Sequence, residues 1–182
     1  MTRRNFFHRH PMHRPTRPHP GPMPGPVRPV PPMPHPQPLP PARMPVRLMD
    51  YGPQPCVIDI EQATNQNNNY RTTLWTGQHM QLTVMSLLPG EDIGLEVHPN
   101  TDQFLRIESG QGIVQMGHTR NHLNIREAAF EGSAIFVPAG TWHNVTNIGH
   151  TPMKLYSIYA PPEHTHGTMH RTKAIAEREE MH

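Results

Sequence analysis

Apolar and polar positions change their rhythm near residue 50. From there to about residue 160 the chain offers short runs rich in Val, Leu, Thr and aromatics, each closed by Gly, Pro or a polar cluster. "CVIDI", "YRTTLWTG", "HMQLTVMSLLPG", "IGLEVHP", "DQFLRIESG", "QGIVQMG", "LNIREAAFEG", "SAIFVPAG", "WHNVTN" and "MKLYSIYAPP" all read as strands. In "QFLRIESG" the alternation puts Phe104, Arg106 and Glu108 on one face and Gln103, Leu105 and Ile107 on the other. "EQATNQNNN" reads as a polar turn or short helix, and "TKAIAEREE" as a short charged helix. About ten short strands with turns between them predict an all-β sandwich or barrel. A domain of this length can bury one core.

Residues 1–49 follow other physics. Sixteen prolines fall between Pro11 and Pro45. They remove backbone donors and restrict their neighbours, so helix and sheet are excluded and a disordered arm sampling polyproline II is expected. The chain therefore divides into an arm over 1–49, a β domain over 50–162 and a His-rich, charged segment over 163–182.

Charge sharpens that division. The formal net charge is +2, but residues 1–49 carry eight Arg and no acidic residue, while residues 50–182 carry a balance of −6. A basic arm beside an acidic domain reads either as a solubilising, low-complexity arm or as one that docks on an acidic protein surface or a larger assembly. Nucleic acid is disfavoured, because the arm has no aromatic residue between Phe7 and Tyr51 to stack on bases. The lone Cys56 excludes an intramolecular disulfide and is expected to be half-buried. No apolar run approaches the roughly 18 residues of a membrane span, and "MTRRNFFHRH" lacks the apolar core of a signal peptide. The expectation is a cytoplasmic protein.

Two stretches carry the chemistry. "GSAIFVPAGTWHNVTN" has Gly132, Pro138, Gly140, His143 and Asn147 at the spacing of the second motif of the cupin family. "GLEVHPNTDQFLRIESG" resembles the first motif, with Gly90 before it and Gly110 at its end. His98 stands in place of the second motif histidine, Glu96 in place of the first, and Gln103 in place of the usual glutamate. The resemblance implies a cupin jelly-roll (double-stranded β-helix) barrel. It is narrower for small single-domain cupins of the mannose-6-phosphate isomerase-like group, through "LYSIYAPPEHTHGTMHRTKA", and it implies a homodimer.

Glu96 and His98 lie two apart on an expected strand, so they share a face. Gln103 opens the next strand towards the same interior, and His143 follows a Pro-Ala-Gly turn. Glu96, His98 and His143 make a two-His, one-carboxylate donor set. It suits a divalent Fe, Mn, Ni, Co or Zn ion, with Gln103 as fourth ligand or as holder of a bound water. The family's usual three His and one Glu contribute −1. Glu96, two His and Gln103 also contribute −1, which favours a retained site. The alternative is that His98 and His143 are satisfied polar residues of a barrel. His79, Gln81 and Thr83 alternate on one strand, and with Gln115, Lys154 and Tyr156 they are candidates for a polar interior. "HTHGTMH" holds His164, His166 and His170, either a second metal site or a mobile tail.

The functional expectation is a metal-binding cupin that binds or transforms a small molecule in its barrel, by isomerase-like or dioxygenase-like chemistry. Arg106 is the only Lys or Arg in the two motif stretches and points away from the ligands, so an isomerase would lack a phosphate clamp. The rival is a non-enzymatic protein of an assembly such as a bacterial spore coat, recruited through the arm.

Overall fold

The computed structural model describes Gly21 and residues 45–180, and nearly all of the Pro-rich arm lies outside these residues. The order is α1 (Ile60–Gln66), β1 (Arg71–Thr76), β2 (Gln81–Leu87), β3 (Asp102–Ser109), β4 (Gln111–Gly117), β5 (Ile125–Phe130), β6 (Ala134–Val137), β7 (Trp142–Asn147), β8 (Met153–Ala160), β9 (Met169–His170) and α2 (Lys173–Glu180). A six-stranded sheet runs β6-β3-β8-β2-β1-β9, and a three-stranded sheet runs β5-β4-β7. Every strand pairing is antiparallel. Both sheets turn apolar side chains into one core: Met85, Leu105, Ile107 and Leu155 from the larger, Val114, Ala129 and Val145 from the smaller. This is the all-β architecture that the alternation predicts, in the jelly-roll form that the resemblance implies. Gln103, Leu105 and Ile107 are buried, and Arg106 points out to pair with Glu108.

Two expected strands do not form. "CVIDI" leads into α1, because the Asp59 side chain accepts the Gln62 amide hydrogen at 3.1 Å and caps the helix. Ile58 and Ile60 then pack on Ala63, Leu74 and Val84 in a second small core, and Cys56 stays exposed. "IGLEVHP" runs beside β7 but holds only isolated bridges, Asp92 to Thr146 and Glu96 to His143. Between these bridges the register slips by one residue, at Gly94, whose φ is 93°. A one-residue bulge with glycine in the left-handed region is the standard device for such a slip. In strict register Leu95, not Glu96, would stand opposite His143.

The inner face of the larger sheet is graded along its strands. Met85, Leu155 and Ile107 align across β2, β8 and β3 at one level. Thr83, Ser157 and Leu105 align at the next, and Gln81, Tyr159 and Gln103 at the third. All nine are buried, so the core passes from apolar to polar towards one end of the barrel. Gln81 and Thr83 thus face inward as their alternation suggests. His79 is exposed, in the turn before β2.

Candidate metal centre

The slip at Gly94 sets Glu96 directly against His143. The two backbones exchange hydrogen bonds, Glu96 N–H to His143 O at 3.1 Å and His143 N–H to Glu96 O at 2.9 Å. Paired residues of an antiparallel bridge point to the same side, so the Glu96 carboxylate follows the buried His143 ring inward. His98, two residues on, arrives from the same segment, and its carbonyl accepts the Gly140 amide hydrogen at 2.8 Å.

The geometry brings the three side chains together. Glu96 Oε1 lies 3.3 Å from both His98 Nε2 and His143 Nε2. One donor atom from each residue falls within 4.8 Å of the others. Each imidazole meets an acceptor at its other nitrogen: His143 Nδ1 bonds Thr141 O at 2.9 Å, and His98 Nδ1 lies 3.1 Å from Glu163 Oε1 without a well-aligned hydrogen bond. Such contacts favour the tautomer that leaves Nε2 as the donor atom. Gln103 Nε2 donates to Ser157 Oγ at 2.9 Å, which leaves its amide oxygen as the spare acceptor.

Glu96 Oε1, His98 Nε2, His143 Nε2 and Gln103 Oε1 are all buried, and none makes a well-aligned hydrogen bond. Buried polar atoms without partners are rare and costly. A cation between Glu96, His98 and His143 would satisfy their three atoms, so these residues fit a divalent metal ion. Burial alone would raise the Glu96 pKa. The close contacts of the His143 and His98 rings at 3.3 Å, with the charge of Arg71, overcome it and hold the carboxyl at about 2. Burial alone would lower the His98 pKa, but the close Glu96 carboxylate and the charges of Glu96 and Glu163 raise it.

Other candidates separate. Lys154 is buried, but it is held by Asn67 O, Asn68 Oδ1 and Ser86 Oγ, which is a structural role. His164, His166 and His170 do not converge. His164 packs edge-on against Tyr159 with ring centroids 5.1 Å apart, His166 pairs with Asp50, and His170 on β9 pairs with Glu179. Among the described residues the Glu96, His98 and His143 group is the one cluster suited to a metal. The segment that bears those histidines folds onto the barrel through β9, paired to β1. Three residues near the site escaped the sequence reading, Arg71, Tyr159 and Glu163, and His164 was read only as part of a second cluster or a tail. No local spacing marks them, since strand pairing and the return of the C-terminal segment assemble them.

Fold and site together define a cupin: a cupin-domain model matches residues 83–159, and the chain belongs to that family. It is 65% identical over 129 residues to YrkC, an uncharacterised protein of Bacillus subtilis (strain 168), covering 71% of this chain and 69% of that one. An uncharacterised protein of Acanthamoeba polyphaga mimivirus is 41% identical over 115 residues, covering 63% and 70% of the two chains. The crystal structure of BH2720 from Bacillus halodurans matches with a TM-score of 0.71 and 58% identity, over 71% of this chain and 98% of that one.

Proposed function

We propose that this protein is a metal-dependent cupin enzyme that holds a divalent ion on Glu96, His98 and His143, with Gln103 as fourth ligand or water-holder. The observation that carries the reading is the convergence of buried donor atoms that lack hydrogen-bond partners. Fe, Mn, Ni, Co or Zn suits two imidazoles and a carboxylate, and such a set leaves coordination positions open. Bound there, the ion would supply Lewis acidity, or O₂ activation if it were iron.

The chain's own residues shape what that chemistry acts on. Gln81, Tyr159 and Gln103 give the interior a polar end, and Tyr159 lies 5.7 Å from His98, ring to ring. Burial pushes the Tyr159 phenol up to about 12, so it stays protonated at neutral pH. Burial pushes His164 down to about 3, so it stays neutral. Neither is poised as the proton-shuttling base that an isomerase needs. This leaves the mannose-6-phosphate isomerase-like grouping without support from Tyr159 or His164. The fold and the relatives likewise offer no support for a spore-coat role.

A homodimer belongs to the same proposal. Its observation is a shallow apolar concavity of about 310 Å³ on the outer face, lined by Phe104, Phe136, Pro138 and Ile158, with Phe136 70% exposed. Light scattering of full-length protein tests it.

Elemental analysis tests the metal. Purified protein should carry one first-row metal per chain, and the Glu96→Ala/His98→Ala/His143→Ala variant should carry none. Anaerobic Fe(II) loading followed by nitric oxide should give the high-spin ferrous-nitrosyl EPR signal of an open position. Failure of divalent ions to bind the folded wild type would end the enzyme reading.

A further inference from the structure

The C-terminal segment reaches the metal centre without an apolar core of its own. Between the end of β8 at Ala160 and the start of β9 at Met169, no residue belongs to either apolar cluster. Polar contacts hold this stretch instead. Thr168 O accepts the Thr73 amide hydrogen at 2.9 Å, which fixes the far end to β1. Gln81 fixes the near end. Its Oε1 accepts the amide hydrogens of Glu163 and His164 at 3.3 Å and 2.9 Å, and its Nε2 donates to His164 O at 2.8 Å.

A second clamp comes from Asp50. Its Oδ2 accepts the Gly167 amide hydrogen at 3.0 Å and the Thr76 hydroxyl hydrogen at 2.6 Å, and its Oδ1 accepts the Gly52 amide hydrogen at 2.9 Å. Thr76 Oγ1 in turn accepts from Gln81 Nε2 at 2.9 Å, so the two clamps are joined. Both lie inside: Gln81 is 0% exposed and the Asp50 side chain 1%. Buried polar groups bonded to one another hold firmly as a unit. The stretch they clamp touches His98 twice. Glu163 Oε1 stands 3.1 Å from His98 Nδ1, and the His164 ring packs on Tyr159, which also meets the His98 ring at 5.7 Å.

We infer that residues 161–168 form a latched strap, in which Gln81 and Asp50 hold Glu163 against His98 and Glu163 acts as a positioning residue for that ligand. A carboxylate beside Nδ1 keeps the proton on that nitrogen, leaves Nε2 free to donate, and restrains the ring. The Glu163 side chain is 32% exposed, so nothing but the hold on its backbone opposes the freedom it would gain in water. The latch therefore sets how firmly His98 is presented. Asp50 contacts Gly52, Thr73, Thr76, His166 and Gly167, none of them a triad residue. Its influence on the centre has to pass along the strap. The hold on His98 is a property of the chain itself. Its consequence, a longer stay for a bound ion, rests on the proposed metal centre.

The test compares full-length wild type with Asp50→Ala, Glu163→Ala and Glu163→Gln. The readouts are hydrogen exchange, NMR of the His98 ring in metal-free protein, and Zn(II) release to a chelator. Asp50→Ala should speed exchange at residues 163–168 by about tenfold or more, leave β3 and β8 protected, and move the His98 ring resonances. It should also speed Zn(II) release by about tenfold. Glu163→Ala should move the ring and speed release as much, with strap exchange unchanged. Glu163→Gln keeps an acceptor oxygen and should restore most of the wild-type rate. The Asp50→Ala/Glu163→Ala double variant should release Zn(II) no faster than the faster single variant, because both act through one contact. If Asp50→Ala fails to fold, Thr76→Val, which cuts the bond between the two clamps, takes its place with the same expectations. A strap that opens while the His98 ring stays unmoved, wild-type release in Glu163→Ala, or additive effects in the double variant overturns the inference. A wild type that binds no Zn(II), with the ring moved in both single variants, sinks the metal reading alone. Zn(II) held, with neither ring nor release altered, sinks this inference alone.

Discussion

Glu96 is the residue on which the site turns, and Glu96→Gln is its most informative perturbation. The change keeps the shape and deletes the charge. In metal-free protein the carboxylate is held at about 2 against an ordinary 4.5 by His143, His98 and Arg71, which corresponds to about 3 kcal/mol of stabilisation of its ionised form. A depressed folded pKa gives stability that is complete above the unfolded value. It is lost as pH falls through 4.5 towards about 2. His98 sees the same interaction from the other side. Its raised folded pKa gives stability that is complete below the unfolded value of 6.5 and is lost as pH rises through the folded one. The two effects share one contact and are not added.

Wild-type apoprotein should therefore show an acid edge and a near-neutral edge in stability, with a maximum between them. Glu96→Gln should lose both edges. Around pH 6 it should be less stable by about 3 kcal/mol, a fall of roughly 10 °C in Tm for a domain of this size. With Arg71 and His98 left facing an amide, burial should then push the His98 pKa down. The assay is thermal and urea unfolding of EDTA-treated protein across pH, with the His98 ring followed by NMR. A variant with the wild-type pH profile, or an unmoved His98, would refute the account of the cluster.

Further predictions follow from single contacts. Gly94→Val forces a β-branched residue to φ 93°, so it should cost about 1–2 kcal/mol in urea unfolding; if the bulge resolves instead, metal content should fall while the melt survives. Metal affinity should weaken as pH drops below the raised His98 pKa, because protons compete for Nε2; a flat affinity in metal-buffered titrations across that range would count against His98 as a ligand. Gln81→Leu removes the bonds that seat Glu163 and His164, so hydrogen exchange over residues 163–170 should accelerate by about tenfold or more while β3 and β8 stay protected. Asn147→Ala deletes Nδ2 bonds to Leu87 O and Thr151 O and an acceptor for Gly149 N–H; about 2–3 kcal/mol of lost stability is expected in the same unfolding assay.

The sequence by itself determined the strands and the motif residues. Period-two alternation is a local property, so "DQFLRIESG" and "MKLYSIYAPP" announce which side chains go inward wherever they finally pair. The glycines and Pro138 mark the turns, and those turns carry Glu96, His98, Gln103 and His143 into recognisable spacing. Strand composition failed where a helix cap and packing outweighed it. "CVIDI" has strand composition, yet the Asp59 cap and a small apolar cluster turn it into a helix entry.

Only the tertiary structure decided the register at Gly94, and with it that Glu96 rather than Leu95 meets His143. Only the sheet order brought Arg71 on β1 within electrostatic reach of Glu96, 25 residues away, and only the hold of Gln81 turned the C-terminal segment into a wall of the site. The physical reason is common to all three. Backbone pairing and long-range hydrogen bonds fix which side chains share the barrel interior, and no spacing along the chain records that choice.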